Sequence, residues 1–227
     1  MGVVNWNPLA GWMAFPQLSQ SAGITHAYAL GYKLKDDSQE PWTKRFSRFK
    51  ENESGAVFGA ARLLYGAVPA LIEATQVDLS DTVFVAALSS GETTAKANRA
   101  IPYIASHCAV SLGTRFQLNA LQKNPHKKIH TFFSVDERNA ELDKAKYVSA
   151  KLGARNVFVF DDFITRGDTL SRIALAILEA NPKAKVYGVA LAKNESVAWC
   201  PNPTNDQMPA KWDKLWEKGE QEALKAK

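Results

Sequence analysis

An α/β protein, with a parallel β-sheet flanked by helices, is the fold class this sequence predicts. Three observations predict it. Short apolar runs at 82–88, 156–160 and 185–191 have the length and composition of buried strands. Segments with apolar residues at i, i+3, i+4 and i+7 spacing separate them. Strands that alternate with helices pair in parallel and need helices on both faces of the sheet.

Taken in order, residues 1–50 are rich in aromatics and turn formers, among them Trp6, Pro8, Trp12, Pro16 and Trp42. They read as a small irregular or short-stranded layer, with a strand over Ala27 to Lys35. Val57, Ala60, Ala61, Leu64, Val68 and Leu71 predict a helix over about 55–74. Pro69 inside it predicts a kink or a shifted boundary. The strand Thr82 to Leu88 leads into a polar turn, Ser89 to Thr94. A helix over Ala95 to Leu112 follows, with Ile101, Ile104, Ala105 and Cys108 on one face and Gly113 as its stop.

Residues 114–133 have mixed character and a basic middle. Ser134-Val135-Asp136-Glu137 has the Ser-x-x-Glu form of a capping box, which predicts a helix to about Leu152, ended by Gly153. Leu170, Ile173, Ala174, Ile177 and Leu178 predict the next helix, broken by Asn181-Pro182. A strand over Lys185 to Leu191 comes next. In the tail, Trp212, Leu215 and Trp216 lie in a charged helix that packs back as an accessory element. The expected organisation is a hood from residues 1–50, a core over 51–196, and an accessory helix over 197–227.

The chain length suits one good-sized core with a small appended part. No apolar stretch looks long enough to span a bilayer, and the first residues lack the pattern of a secretory leader, so no membrane is expected. Cys108 and Cys200 are the only cysteines; they have no metal-ligand spacing and make no disulfide framework, which predicts a cytoplasmic protein. A net charge of +5 permits anionic partners without demanding nucleic acid. The positive charge gathers at Lys44, Arg45, Arg48 and Lys50, and again at Lys123, Lys127 and Lys128 with His126 and His130.

The densest chemistry lies between Asn156 and Leu170. Four apolar residues, Val157 to Phe160, end in Asp161 and Asp162. Thr165, Arg166, Gly167, Asp168 and Thr169 follow, and then the amphipathic helix. Ligands of an open parallel sheet sit beyond the carboxyl ends of its strands. Adjacent residues of a regular strand point to opposite sides, so both carboxylates reach one ligand only if the backbone is already turning. A carboxylate accepts hydrogen bonds from two vicinal hydroxyls, as in a ribose diol. The hydroxyls and N–H groups of Thr165 to Thr169, at a helix N-terminus, suit a phosphate. Gly167 allows positive φ or close backbone approach. No Walker A loop and no Gly-x-Gly-x-x-Gly fingerprint occurs.

This order of residues resembles the signature of the type I phosphoribosyltransferases, which bind 5-phosphoribosyl-1-pyrophosphate (PRPP). Over about residues 80–193 the chain looks most like the ComF (competence protein F) family. Val83 to Leu88 is similar to that family's apolar strand, Asn98 falls in its helix start, and Glu137-Arg138-Asn139 resembles its segment upstream of the acidic pair. Ala86 and Ala87 stand where prolines are usual, and Ala95, Lys96 and Ala97 where Arg-Gly-Phe is usual. The N-terminal zinc-ribbon cysteines are absent, so no zinc is expected. The resemblance implies Asp161 and Asp162 on the ribose hydroxyls as the catalytic pair, with Thr165 to Thr169 on the 5′-phosphate. Arg166 would add a cation there, and Asp168 would face out or cap the helix. Ser89, Ser90 and Gly91 would form a pyrophosphate loop. A mobile basic loop over 119–130, with Lys123, Lys127 and Lys128, would close over it. Mg²⁺ would arrive with PRPP and touch the protein through water.

Three functions follow from the resemblance. The first is transfer of phosphoribose from PRPP to a nitrogenous acceptor. The second is non-catalytic sensing of PRPP or a nucleoside monophosphate. The third is a competence-like protein that binds single-stranded DNA, for which Phe46 and Phe49, interleaved with the Lys44–Lys50 cations, would supply stacking rings. Trp6, Trp12 and Trp42 are further stacking candidates, although anchoring to a core explains tryptophans equally well. His107 reads as a packing residue, and His126 and His130 as surface residues. A homodimer is compatible with all three functions.

Overall fold

The computed structural model describes residues 5–6, 10–15, 18, 23–128, 131–132, 134–198 and 203–226. Its strands are β1 (Asn5–Trp6), β2 (Met13–Ala14), β3 (His26–Leu34), β4 (Thr82–Ala86), β5 (Arg115–Phe116), β6 (Leu121–Gln122), β7 (Val148–Ser149), β8 (Asn156–Ile164) and β9 (Lys185–Glu195). Its helices are α1 (Pro41–Lys50), α2 (Ser54–Thr75), α3 (Ala100–Ser111), α4 (Val135–Ala145), α5 (Asp168–Ala180) and α6 (Ala210–Lys225). Seven strands form one sheet in the order β1-β2-β3-β9-β8-β4-β5, parallel from β3 to β5 and antiparallel at β1 and β2. The class expected from the sequence is the one found. β6 and β7 make a separate antiparallel ribbon.

The topology creates the crevice. From β4 the chain crosses through α3 outward to β5, whereas from β8 it crosses through α5 to β9 on the other side. The strand order therefore reverses between β4 and β8, and such a reversal opens a cleft at the carboxyl ends of the two strands. β4 stops at Ala86, level with Phe160, while β8 runs on to Ile164. The last residues of β8 therefore have no β4 residue beside them.

One face of the sheet carries α1, α2, α3 and α6, and the other carries α5 with the 118–152 segment. α2 and α6 touch almost backbone to backbone. A Cβ on Gly219 would stand 2.3 Å from the Phe58 carbonyl oxygen, and one on Gly59 would stand 2.7 Å from the Trp216 ring. This closeness sinks Trp212 and Trp216 out of solvent. Each such ring removes roughly 200 Å² from water, on the order of 5 kcal/mol of hydrophobic free energy. The tail thus packs back as expected. By length and composition α2 would suffice to cross a membrane, contrary to the expectation that no stretch would. Its Leu63, Leu64, Ala67, Val68 and Leu71 instead pack in the core beneath α6 and the sheet.

Several boundaries differ from expectation. The proposed division at residue 50 does not separate a hood, because β3 pairs with β9 over most of its length and α1 packs in the main core. α3 starts at Ala100 rather than Ala95, since Thr94 bridges to Gln122 and Arg99 turns back onto the Lys96 carbonyl. The capping box of Ser134 and Glu137 is present, but α4 ends at Ala145. Lys146 there adopts positive φ, and Val148 then pairs with Gln122. Leu152, which extended the apolar pattern, is buried outside any helix. Pro69 lies inside α2 without ending it.

The glycine seam gives a stability test. Gly219→Val should overpack the α2–α6 contact by about 2 kcal/mol. The thermal unfolding midpoint should fall by about 4–8 °C, and an unchanged midpoint would refute the seam.

Candidate functional site

Asp161 to Leu170, the polar half of the motif, line one crevice of about 880 Å³ at the carboxyl ends of β4 and β8. A second concavity of about 580 Å³ lies at the opposite end of the sheet, beside Asp81, Arg155, Asn156 and Tyr187, away from the acidic pair.

The acidic pair was expected at the start of a loop. It lies within β8, but the pleat is not regular there. Val157, Val159 and Ile164 pack into one core, and Phe158 and Phe160 into the other, together with Phe163. The alternation therefore slips by one residue at Asp162-Phe163. Asp162 pairs with Lys50, and the neighbouring Phe163 lies against Phe46 and Phe49, so both side chains leave on the α1 side. The slip is concerted. Leu191 and Ala192 of β9 share that same core. On β3, Leu30 lies in it and a Cβ on Gly31 would meet Met208 of the same core at 2.7 Å. The ladder register is unchanged on both sides of the slip, with Ala29, Ala190 and Asp161 on one row and Gly31, Ala192 and Phe163 on another. Because all three strands slip together, the ladder is kept, and Asp161 and Asp162 both line the crevice.

Each carboxylate also binds the next backbone amide. Asp161 Oδ1 accepts from the Asp162 N–H at 2.8 Å, and Asp162 Oδ1 from the Phe163 N–H at 2.7 Å. Burial and the neighbouring Asp162 charge hold the Asp161 carboxyl well above the usual range. Close by, burial and Asp161 push the Tyr147 phenol up. Among the described residues the buried Tyr147 hydroxyl has no hydrogen-bond partner.

The phosphate-type loop has the expected form. Gly167 takes φ +83° and is the residue that caps α5, with its carbonyl accepting from the Ser171 N–H at 2.8 Å. Thr165 accepts from the Asn194 side chain at 3.1 Å. Asp168 neither caps the helix nor turns fully outward: it lines the crevice in an ion pair with Arg166 at 3.2 Å. That pairing neutralises the repulsion it would offer an anion.

The Ser89-Ser90-Gly91 turn is braced from both sides. The Glu92 carboxylate accepts the Ser89 N–H at 3.0 Å and pairs with Arg99 at 3.3 Å. The Ser90 carbonyl accepts from Lys123 Nζ at 2.8 Å and from the His126 N–H at 2.9 Å. Lys123 is buried, which pushes its ammonium down to about 8 against the pull of Glu92. It acts as a strut under the turn. The segment around it is anchored by the Lys123 N–H on Thr93 and the Asn124 N–H on Ala145. Lys128 does line the crevice, whereas Lys127 is exposed and its N–H is held by Glu141 at 2.7 Å. His126 is half-buried in the crevice wall rather than on the open surface. His130 and Cys200 lie outside the described residues.

Of the other wall residues, Lys33, Lys35 and Arg99 carried no sequence motif, whereas Lys50 belongs to the basic cluster and Arg138 to the Glu137-Arg138-Asn139 segment. Lys33, Lys35 and Lys50 stand on the α1 side, and Arg99 and Arg138 on the other. With Lys128 and Arg166, seven cations face the four carboxylates of Glu92, Asp161, Asp162 and Asp168. The available signal for Lys33 and Lys35 was their place at the carboxyl end of an apolar strand. The stacking candidates fare differently. Phe46, Phe49, Trp12 and Trp42 are buried, Arg45 pairs with Asp213, and Arg48 with Glu220. The side chain of Trp6 is outside the described residues. His107 is exposed and lies against the Tyr103 and Tyr65 rings.

No family model matches this sequence, and no curated protein matches it significantly. Among the described residues no group of three or more His, Cys, Asp or Glu side chains converges as a metal site. The Asp161-Asp162 pair alone is too few donors for a Mg²⁺ ion, so a ligand's phosphates would have to supply most of its oxygens.

The raised Asp161 pKa has a measurable consequence. The protonated carboxyl stabilises the fold at acid pH, and this contribution is lost as pH rises through its folded-state pKa. Asp161→Asn stays neutral, so its stability relative to wild type should grow as pH rises above the usual carboxylate range in denaturant melts. A gap that stays constant would count against a buried, proton-binding Asp161.

Proposed function

We propose that the crevice binds a phosphorylated ribose of the PRPP type and that the protein transfers its phosphoribosyl group to a nitrogenous acceptor, as the resemblance to type I phosphoribosyltransferases and the ComF family suggests. The observation that carries this reading is the joint placement of Asp161-Asp162 and the Thr165–Thr169 loop on one crevice, with Gly167 at positive φ opening a helix N-terminus. The parallel sheet is compatible with that fold. The 5′-phosphate would accept hydrogen bonds from the loop and the first turn of α5. The ribose diol would donate to the carboxylates, displacing Lys50 from Asp162. A departing pyrophosphate would meet Arg99, Lys128 and Arg138. Displacement at C1 builds positive charge on the sugar, so positioning and charge compensation would supply most of the rate. Mg²⁺ bound with the ligand would offset pyrophosphate charge.

One observation favours the sensing alternative. The Ser89 N–H is already bound by Glu92, a carboxylate that stands where pyrophosphate would need donors. A nucleoside 5′-monophosphate makes no demand on that turn.

Calorimetry tests the premise. PRPP with Mg²⁺ should bind, and Asp162→Asn with Thr169→Ala should weaken binding about 100-fold, two charged hydrogen bonds of about 1.5 kcal/mol each. Failure of the wild type to bind either PRPP or a nucleoside monophosphate would sink both readings. Pyrophosphate release with a nitrogenous acceptor separates transfer from sensing. Glu92→Gln should lower the affinity of nucleoside monophosphates by less than about twofold.

A further inference from the structure

Three lysines of the crevice wall are left over from the ribose and phosphate contacts. Lys33 and Lys35 come from the end of β3, and Lys50 from the last turn of α1. The pleat slip is what unites them. Before it, the odd-numbered residues Ala27 and Ala29 of β3 pack in the α5-side core. After it, the even-numbered Tyr32 and Leu34 do. Lys33 and Lys35 are thereby turned to the α1 side, where Lys33 Nζ lies 6.0 Å and Lys50 Nζ 5.5 Å from the centre of the Phe163 ring.

The local charge is not balanced. Lys50 pairs with Asp162, and Glu51 adjoins it; Glu195 is already paired with Lys193. Burial, then Lys50, and to a smaller degree Lys35, press the Lys33 ammonium down, against the pull of Glu51. Crowded like charges around a partly desolvated cation are unfavourable unless an anion joins them. The ring of Phe163 beneath them offers a flat apolar floor, half-buried and packed edge-on by Phe46 and Phe49.

We propose that Lys33, Lys35 and Lys50 form a second anion subsite beside Asp162, which receives a carboxylate or phosphate carried on a flat ring by the second ligand of the crevice. The identity of that ligand as an acceptor rests on the function proposed above; the subsite itself does not. α5 packs on the opposite face of the sheet, so the lysines and the first turn of α5 approach the crevice from different sides. A neutral nucleobase would leave the lysines uncompensated. An anionic ring would pair with Lys33 and Lys35 and lie on Phe163.

The test titrates the whole protein with isophthalate, phenyl phosphate and neutral benzamide, each with and without ribose 5-phosphate. Binding is read from the amide and Phe163 ring resonances. The anions should bind at least fivefold more tightly than benzamide. Lys33→Gln with Lys35→Gln should remove that preference while leaving ribose 5-phosphate affinity within about twofold. Lys35→Gln alone, at an exposed side chain, should remove part of it and covers the case in which the double variant folds poorly. Tighter binding of isophthalate or of phenyl phosphate shows which anion the subsite takes. Equal binding of anions and benzamide, or a preference that survives the double substitution, overturns the subsite. If ribose 5-phosphate fails to bind while the lysine-dependent anion preference holds, the subsite stands and the ribose reading falls.

Discussion

Most of the site depends on one backbone constraint: the shared loss of alternation across β3, β9 and β8. In a regular strand successive side chains leave on opposite faces, and a change of phase in one strand alone would break its ladder with the next. Here three neighbours change phase on the same rows, so the hydrogen-bonded register survives. The crowding falls on small residues, Gly31 and Ala192, and on Asp162, which points at solvent and Lys50 rather than at a core. Asn205 completes the adjustment by bonding both the N–H and the carbonyl of Tyr32, at 2.7 and 3.1 Å. Above this line the face of each strand is exchanged, and polar residues that would have met a core line the crevice.

Electrostatics then divides the crevice. Its acidic centre, Asp161 with Asp162, is flanked by cations on both sides, those of β3 and α1 on one and those of the α3 and α4 side on the other. Close internal pairs quiet several charges that would otherwise oppose an anion: Arg166 on Asp168, and Arg99 on Glu92. What is left is a basic rim around a carboxylate pair. Such a field favours a ligand that is anionic at its ends and rich in hydroxyls at its middle.

The motif from Asn156 to Leu170 was legible because it is contiguous: strand, acidic pair, turn and helix start all follow from local preference and spacing. So was the capping box at Ser134 and Glu137. Less of the rest was legible, for physical reasons. The Lys33 and Lys35 side chains owe their direction to a phase change shared by strands distant in sequence, and alternation counted from Ala27 puts them on the wrong face. The strut role of Lys123 depends on the Ser90 carbonyl, 33 positions earlier. Basic residues near aromatics suggested an exposed stacking surface, yet Phe46 and Phe49 are apolar residues of the buried side of α1, and Arg45 and Arg48 bind the acidic side of α6. The helix expected to reach Leu152 failed because Lys146 and the β6–β7 pairing interrupt a pattern that buried apolar residues continue outside a helix.

The α2–α6 seam ties a packing contact remote from the crevice to the geometry of the site. α1, which carries Lys50, packs its Trp42 and Phe46 against Trp216 and its arginines against Asp213 and Glu220. Those partners all belong to α6, and α1 rests on Phe163 of β8 besides. The position of Lys50 relative to Asp162 is therefore set partly by how closely α6 can approach α2. A bulkier side chain at Gly59 or Gly219 would push α6 outward and carry its strain through Trp216 and α1 to the basic rim, so damage remote from the crevice reaches the cations that face the acidic pair.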